Sequence, residues 1–446
     1  MKQFLNLYKI PLLLFFSGCV FYWAFAYDLE RSDFVKLCSL YAALFFASWK
    51  LFQMEKFNIR SLFGVAIIFR LIFLFSLPNL SQDYFRFIWD GRLLLEGINP
   101  YLSTPQEWLT SAILPFPQVQ QLIEGMGSLS AGNHTNYPPL NQLLFALSAF
   151  FGGKSILGTV IAMRTLIIGA DIGIFYLGRK LLRKLDLPEN RIFWYLLNPF
   201  VIIELTGNLH FEGVMLFFLL GSLYLLHQKK WFLSAILLAC SVSLKLIPLL
   251  FLPLFFRRLG LKKALFYYLI VGGVNLLFFL PFFSEAFAEN YLATTALWFK
   301  KFEFNASFYY LVRWIGYQME GYNIIALAGP LLAFLTFTAV LALAFFRRNI
   351  ALKELLVSML LAITVYFLMA TTVHPWYLAT PLLLSIFTRY RFMLLWSFTV
   401  ILSYFAYSHI EFQENLWLVA LEYLIVIPVI GWELVRARNK ISVNVL

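Results

Sequence analysis

The chain has 446 residues, 61% of them hydrophobic and 13% charged, with a formal net charge of +12 and a mean hydropathy of +0.78. No soluble globular domain of this size carries such a composition, and repeated apolar runs of about 17–25 residues exclude a β-barrel, whose strands are short and alternating. The positive charge, which would suggest nucleic acid in a soluble chain, falls in short loops between apolar runs and so reports membrane topology.

The first apolar runs lie at about 9–27, 36–54 and 61–78. Lys2 and Lys9 precede a run ending Ala24-Phe25-Ala26, a pattern that imitates a signal peptide and is read here as an uncleaved anchor. Lys50, Lys56 and Arg60 put the second loop and the N-terminus on the cytoplasmic side, which sends the mixed segment 79–137 outside. Within it, Glu107 to Ile113 and Val119 to Ile123 have the pattern of short interfacial helices. The run at about 140–152 is too short to span and is expected to be re-entrant or interfacial, with a full span following at about 157–178.

Further runs lie near 191–206 and 212–228. The run 231–256 carries Lys245 near its middle and basic residues at both ends, which predicts two short helices folded as a hairpin with Lys245 at the outer tip. Spans near 262–282, 322–346, 354–372, 376–388, 392–409 and 416–436 complete an all-α polytopic membrane protein of about 12–14 transmembrane helices, one integral domain over 1–446. Cys19, Cys38 and Cys240 sit inside apolar runs without ligand spacing and suggest packing, not a metal site or a disulfide.

The unusual polar residues share the proposed outer face: Asp83, Arg86 and Asp90; Asn208, His210 and Glu212; Lys245; Lys300, Lys301 and Asn305 with Arg313; and His374-Pro375-Trp376-Tyr377. Singly, each reads as a helix cap, a snorkelling side chain or a belt aromatic. Together on one face they suggest a site. A transporter would spread charges along a path through the bilayer, and Arg70, Arg164 and Asp171 are too few embedded charges for that.

The order of motifs resembles a family. Ser81-x-Asp83-Tyr84-x-Arg86-Phe87-x-Trp89-Asp90-Gly91-Arg92, then Gly97-x-Asn99-Pro100-Tyr101, Tyr137-Pro138-Pro139, Asn198-Pro199, Gly207-Asn208-x-His210-x-Glu212, Lys245-x-x-Pro248, Phe304-Asn305-x-Ser307 and His374-Pro375-Trp376-Tyr377 look like the GT-C superfamily of polytopic glycosyltransferases. The nearest likeness is to bacterial mannosyltransferase-like members, including glycosyltransferase family 87, with a fainter one to the first mannosyltransferase of GPI-anchor synthesis. It covers the chain after about residue 60 and leaves 9–60 as two additional N-terminal spans before the core. The resemblance implies an active site between the first outer loop and the outer ends of the core spans, with Asp83 as base. The GPI-type relatives have Asp-x-Asp where this chain has Ser81-Gln82-Asp83, which disfavours a bound divalent metal; no cofactor is required.

The residue types fit transfer from a polyprenyl phosphate, which needs a carboxylate to take the acceptor's proton and cations to hold the leaving phosphate. Asp83 serves the first role; Arg86, Lys245 and Arg313 are phosphate candidates, with Arg86 alternatively orienting Asp83. Asn208, His210, Glu212, Asn305 and His374 are candidates for contact with sugar or phosphate. Asp90 and Arg92 are expected to be structural, pairing with each other or capping the loop helix, as are Asn99 and Tyr137. A single base without a nucleophile implies inversion at the anomeric carbon. The reading is therefore an inverting glycosyltransferase moving a hexose, mannose foremost, from a polyprenyl-phosphate donor to a glycan or glycolipid acceptor. It places the protein in a bacterial inner or cell membrane among membrane lipids, its site facing outside, with no nucleic-acid partner. The alternatives are a lipid-linked oligosaccharide flippase or transporter and a surface-glycan polymerase or ligase.

Overall fold

The computed structural model describes residues 2–443 other than 112, 301 and 410, with side chains from Tyr8 to Ala437 other than at 112, 298–301 and 410. Short polar residues punctuate the apolar runs and start the helices. Asp33 accepts a hydrogen bond from Lys36 N at the start of α2 (Phe34–Glu55), which follows α1 (Lys2–Tyr27), and Asn58 accepts one from Ser61 N at the start of α3 (Ile59–Ile72). Each cap satisfies an amide that the helix leaves without a partner. After α3 come α4 (Asp83–Leu95), α5 (Val119–Ala131), α6 (Pro139–Gly152) and the long α7 (Ile156–Lys184), itself capped by Ser155.

Seven helices among the described residues are long and apolar enough to cross a membrane: Tyr8–Tyr27, Phe34–Glu55, Ile156–Lys184, Leu261–Phe282, Ile325–Phe346, Leu352–Met369 and Leu416–Ala437. Pro199–Gly207 and Glu212–His227 form an eighth if counted as one broken span, bent by 112°. The chain is thus the all-α, polytopic membrane protein expected, and the unbroken helices of span length among the described residues are fewer than the about 12–14 apolar runs. Hydropathy registers apolar runs, and several of these are helices too short to span at 1.5 Å per residue: α3 and α6 have 14 residues each and Trp231–Val242 has 12. Each buries one face in protein and leaves another exposed, as Phe145 and Ala149 against Leu143, Phe150 and Phe151 in α6 and Leu238 against Phe232 in Trp231–Val242 show. The hairpin read in 231–256 is present as Trp231–Val242 and a 3-10 segment Ile247–Phe255, with Lys245 at the break.

The loops separate to two ends. At one end the basic loops touch one another: Asn190 donates to Lys56 O, Arg191 to Thr388 O and Arg258 to Ile350 O, while Arg179 and Arg183 pair with Glu189. At the other end lie the segment before α4, the break Asn208–Phe211, Lys245 and the 302–305 and 371–374 strands of chain. The last two are joined by Phe304 N to Thr371 O at 3.0 Å and Val373 N to Phe304 O at 2.8 Å.

The embedded charges hold this frame together. Arg70 and Asp171 form a 2.7 Å ion pair with neither side chain exposed, and Arg70 also donates to Ala66 O and Leu196 O. Arg164 donates to Leu74 O, Ser76 O, Thr206 O and Gly207 O, so one guanidinium ties the chain after α3 to the end of the Pro199–Gly207 segment. Carbonyls at helix ends carry partial negative charge, which favours a cation there. All three charges are committed to structure.

Candidate functional site

Asp83 is the first residue of α4, and three of the four residues before it are anchored to distant parts of the fold. Asn79 donates to Phe25 O and Leu29 O, Leu80 N donates to Asn208 Oδ1, Ser81 Oγ accepts from Asp83 N, and Gln82 donates to Met126 O. The carboxylate is therefore aimed by the fold and stays partly accessible. Burial raises its pKa above the usual carboxylate range; Lys245 and Arg31 oppose that rise and Glu212 adds to it. A helix N-terminus beside it favours the anion.

Lys245 and Glu212 form an ion pair at 2.9 Å, with the Lys245 ammonium 5.2 Å from the centre of the Tyr137 ring. The sequence left Lys245 without a partner; the fold supplies Glu212. Trp376 lies between two imidazoles, with His210 stacked at 3.8 Å and 16° on one side and His374 at 4.5 Å and 4° on the other. Phe304 reaches His374 from the bridge, its ring centre 5.1 Å away. Burial, helped by Lys245, holds both imidazoles neutral: His374 is pushed down to about 3 and His210 well below its usual value. A neutral imidazole has one nitrogen that donates and one that accepts. Both His210 ring nitrogens and His374 Nδ1 are buried without a hydrogen-bond partner among the described residues. Orphaned polar atoms this close to an aromatic platform are suited to hydroxyl groups.

Other candidates are turned to structure. Arg86 Nε donates to Asp90 Oδ1 at 2.8 Å and Arg86 Nη1 to Ser130 O and Asn133 O, which leaves only Nη2 without a partner. Arg86 thus serves Asp90, not Asp83 or an exposed anion. Asp90 also accepts from Thr135 Oγ1 at 2.6 Å and Gln142 Nε2 at 2.9 Å, so it joins α4 to the chain entering α6. Arg92 does not pair with Asp90; it donates to Pro117 O, Gln118 Oε1 and Lys154 O. The i,i+4 spacing of Arg86 and Asp90 was the local signal for this pair.

Asn208 accepts from Leu80 N and donates to Glu204 Oε2, which places it as a positioning residue for the Asp83 segment. Asn305 is fully buried: its Nδ2 is held by Glu422, its N by Glu414 and its carbonyl by Tyr423. Arg313 pairs with Glu303 at 2.6 Å and lies over Tyr310, and Tyr310 in turn donates to Glu414. Asn305 and Arg313 are thus bonded to acids other than Asp83, and Asn305 Oδ1 is buried without a hydrogen-bond partner among the described residues. Asn99 caps the turn at Tyr101 N and donates to Phe282 O, and Tyr137 meets Phe87 and Phe145 edge to face beneath Lys245. Lys301 and the side chain of Lys300 lie outside the described residues. Among the described residues no three His, Cys, Asp or Glu side chains are grouped to hold a metal ion.

Two contributors escape sequence reasoning. Trp376 was read as a belt aromatic, and only its two stacking partners show that it organises the site. Arg31 comes from the loop between α1 and α2, its guanidinium 3.2 Å from the centre of the Tyr407 ring and its charge acting on Asp83 and His374.

Fold and site together define an all-helical, polytopic membrane protein that gathers, among the described residues, two carboxylates, two cations and a histidine-tryptophan stack at one end of its helices. The sequence model described as alpha-(1->6)-mannopyranosyltransferase, N-terminal domain, matches residues 27–259, and the chain belongs to that family. The match takes in α2 and Arg31, so most of the segment first set apart as additional is part of the family region. Two curated relatives come from Corynebacterium glutamicum. Alpha-(1->6)-mannopyranosyltransferase A is 24% identical over 184 residues, covering 40% of this chain and 35% of the relative. Alpha-(1->6)-mannopyranosyltransferase B is 26% identical over 205 residues, covering 42% and 32%. The aligned region thus spans about a third of the length of either relative.

Proposed function

We propose that the protein is an inverting mannosyltransferase that takes its sugar from a polyprenyl phosphate and delivers it to a glycan or glycolipid on the outer membrane face. The observation that carries this reading is the single accessible carboxylate of Asp83, set at a helix N-terminus beside the Lys245–Glu212 pair and the His210–Trp376–His374 stack. Family membership supports the sugar, and the separation of basic loops to the opposite end supports the outward-facing site. A transport path is disfavoured because Arg70, Arg164 and Asp171 are all bonded within the frame.

In this reading the acceptor hydroxyl gives its proton to Asp83 as its oxygen bonds to the anomeric carbon, and the bond from that carbon to the phosphate oxygen breaks with its electron pair leaving on the lipid phosphate. The raised pKa makes Asp83 a stronger base than an exposed carboxylate. The stack offers an apolar face to the sugar ring, and the orphaned imidazole nitrogens and Glu212 meet its hydroxyls. Attack from the face opposite the phosphate turns a β-linked donor into an α-linked product.

Membranes or purified protein incubated with radiolabelled polyprenyl-phosphate mannose and, separately, with labelled nucleotide sugar provide the test. Transfer from the lipid donor is expected; transfer from the nucleotide sugar alone overturns the reading.

A further inference from the structure

The loop between α1 and α2 contains three acids within a few residues of Arg31, yet none of them pairs with it. Asp28 is bound by Lys36 at 2.8 Å, Asp33 caps α2, and Glu30 is exposed. Arg31 turns away from these neighbours and lies flat over Tyr407, at the end of the Val400–Tyr407 segment on the far side of the sequence. Its Nε is buried without a hydrogen-bond partner, and no carboxylate stands within ion-pair distance of it among the described residues.

The Tyr407 ring under it is 6.1 Å from the Phe304 ring, which reaches His374 at 5.1 Å, so Arg31 borders the site, and its charge acts on Asp83, Glu204, His374, Tyr404 and Tyr407. These come from four separate stretches of chain, and the proposed base is among them. The other cation at this site, Lys245, has Glu212 as its partner and brings no net charge. Among the described residues Arg31 is thus the cation of the site whose charge is not matched by a bonded carboxylate. An aromatic face orients a guanidinium without satisfying its N–H groups, so the fork of donors is held in place and left for an anion.

We propose that Arg31 binds the phosphate of the lipid-linked donor and holds the polyprenyl phosphate as it leaves, with Tyr407 fixing the plane of the guanidinium. This rests on the reading of the protein as a user of lipid-phosphate sugars. The chemistry recognised is a phosphodiester before transfer and a phosphomonoester after it, both attached to a chain that stays in the bilayer. Arg31 forms no covalent bond; its role is to keep the charge that develops on the departing oxygen beside a fixed donor.

The test uses the full chain purified in detergent and measures saturable binding of tritiated decaprenyl phosphate, which needs no turnover. Arg31→Gln is expected to weaken binding by about 10-fold to 100-fold, the scale of a charge-assisted hydrogen bond, with Arg31→Lys falling between the two. Asp83→Asn is expected to bind the lipid phosphate as the wild type does while failing to transfer. In turnover, Arg31→Lys raises the KM for the lipid donor more than it lowers kcat. A parallel titration with phosphatidylglycerol separates donor from bilayer headgroup: equal losses for both lipids in Arg31→Gln overturn the assignment to the donor. Unchanged decaprenyl phosphate binding in a folded Arg31→Gln overturns the role of Arg31 and leaves the proposed function standing. A wild type that shows no saturable decaprenyl phosphate binding and accepts only nucleotide sugars overturns the underlying reading itself.

Discussion

Lys245 and Glu212 meet at 2.9 Å although one sits at the tip of a helical hairpin and the other at the start of a separate helix beyond the break at Asn208–Phe211. The pair acts on Asp83 with opposite signs: Lys245 lowers its pKa and Glu212 raises it. In the proposed mechanism transfer needs Asp83 ionised, so activity is expected to fall as pH drops through its raised pKa. Lys245→Gln removes the lowering charge and is expected to move the acid limb of kcat/KM to higher pH. Glu212→Gln removes the raising charge and moves the limb to lower pH. Profiles of kcat/KM for both variants check this; shifts in the same direction for the two would contradict the arrangement.

Asp83 and Asp90 lie two turns apart on one helix and are expected to fail in different ways when neutralised. Asp83→Asn is expected to abolish transfer. Because burial raises the Asp83 pKa in the folded protein, stability associated with its protonated form is present at low pH and is lost as pH rises through the folded pKa. Asparagine removes that loss, so Asp83→Asn melts at the same temperature as the wild type or higher at neutral pH. Asp90→Asn leaves the Arg86 guanidinium buried without its carboxylate and weakens the bonds from Thr135 and Gln142. Breaking one side of a buried pair costs about 3–5 kcal/mol, so this variant is expected to melt well below the wild type. Thermal unfolding in detergent, alongside transfer assays, distinguishes the two.

Trp376 supports two imidazoles at once. Each aromatic contact contributes about 0.5–1.5 kcal/mol beyond area burial, so removing both corresponds to about a fivefold to hundredfold loss if it is felt in the transition state. Trp376→Ala is expected to reduce kcat/KM on that scale, Trp376→Phe to recover part of it, and both to leave binding of decaprenyl phosphate unchanged. Steady-state kinetics with the lipid donor and the binding assay test this together.

The polar cluster was legible because ionisable residues are conspicuous in an apolar chain: Asp83, His210, Glu212, Lys245 and His374 all stood out before any fold was known. What the sequence hid was who partners whom. Arg86 and Asp90 have a helical spacing that announces a pair, whereas Lys245 and Glu212 meet only because two separate breaks face each other. Arg31 carried no local signal at all, since a basic residue between Asp28 and Asp33 reads as part of a balanced loop; its meaning depends on Tyr407. That apolar runs outnumber unbroken helices of span length has a related reason. The side chains of α6 and of Trp231–Val242 are as apolar as those of a span, and hydropathy does not tell burial in protein from exposure to lipid.

Gly91 offers a test of how closely the site depends on packing behind it. A Cβ at this position would lie 2.5 Å from Phe145 O and 2.6 Å from Phe145 C, so α4 and α6 approach there at a distance that only glycine allows. The obstacle is main chain, which cannot rotate aside as a side-chain tip would. Gly91→Ala must therefore push the two helices apart. Asp90 spans the same contact through Gln142, and Asp83 stands two turns nearer the helix start, so the displacement strains the Asp90 bonds first and tilts the carboxylate second. Overpacking of this kind costs about 1–3 kcal/mol. The expected outcome is a lowered melting temperature together with a loss of kcat larger than the rise in KM, because a base moved by a fraction of an ångström still leaves the donor site in place. A Gly91→Ala protein with unaltered melting and unaltered kcat would show that α4 and α6 are not in close contact.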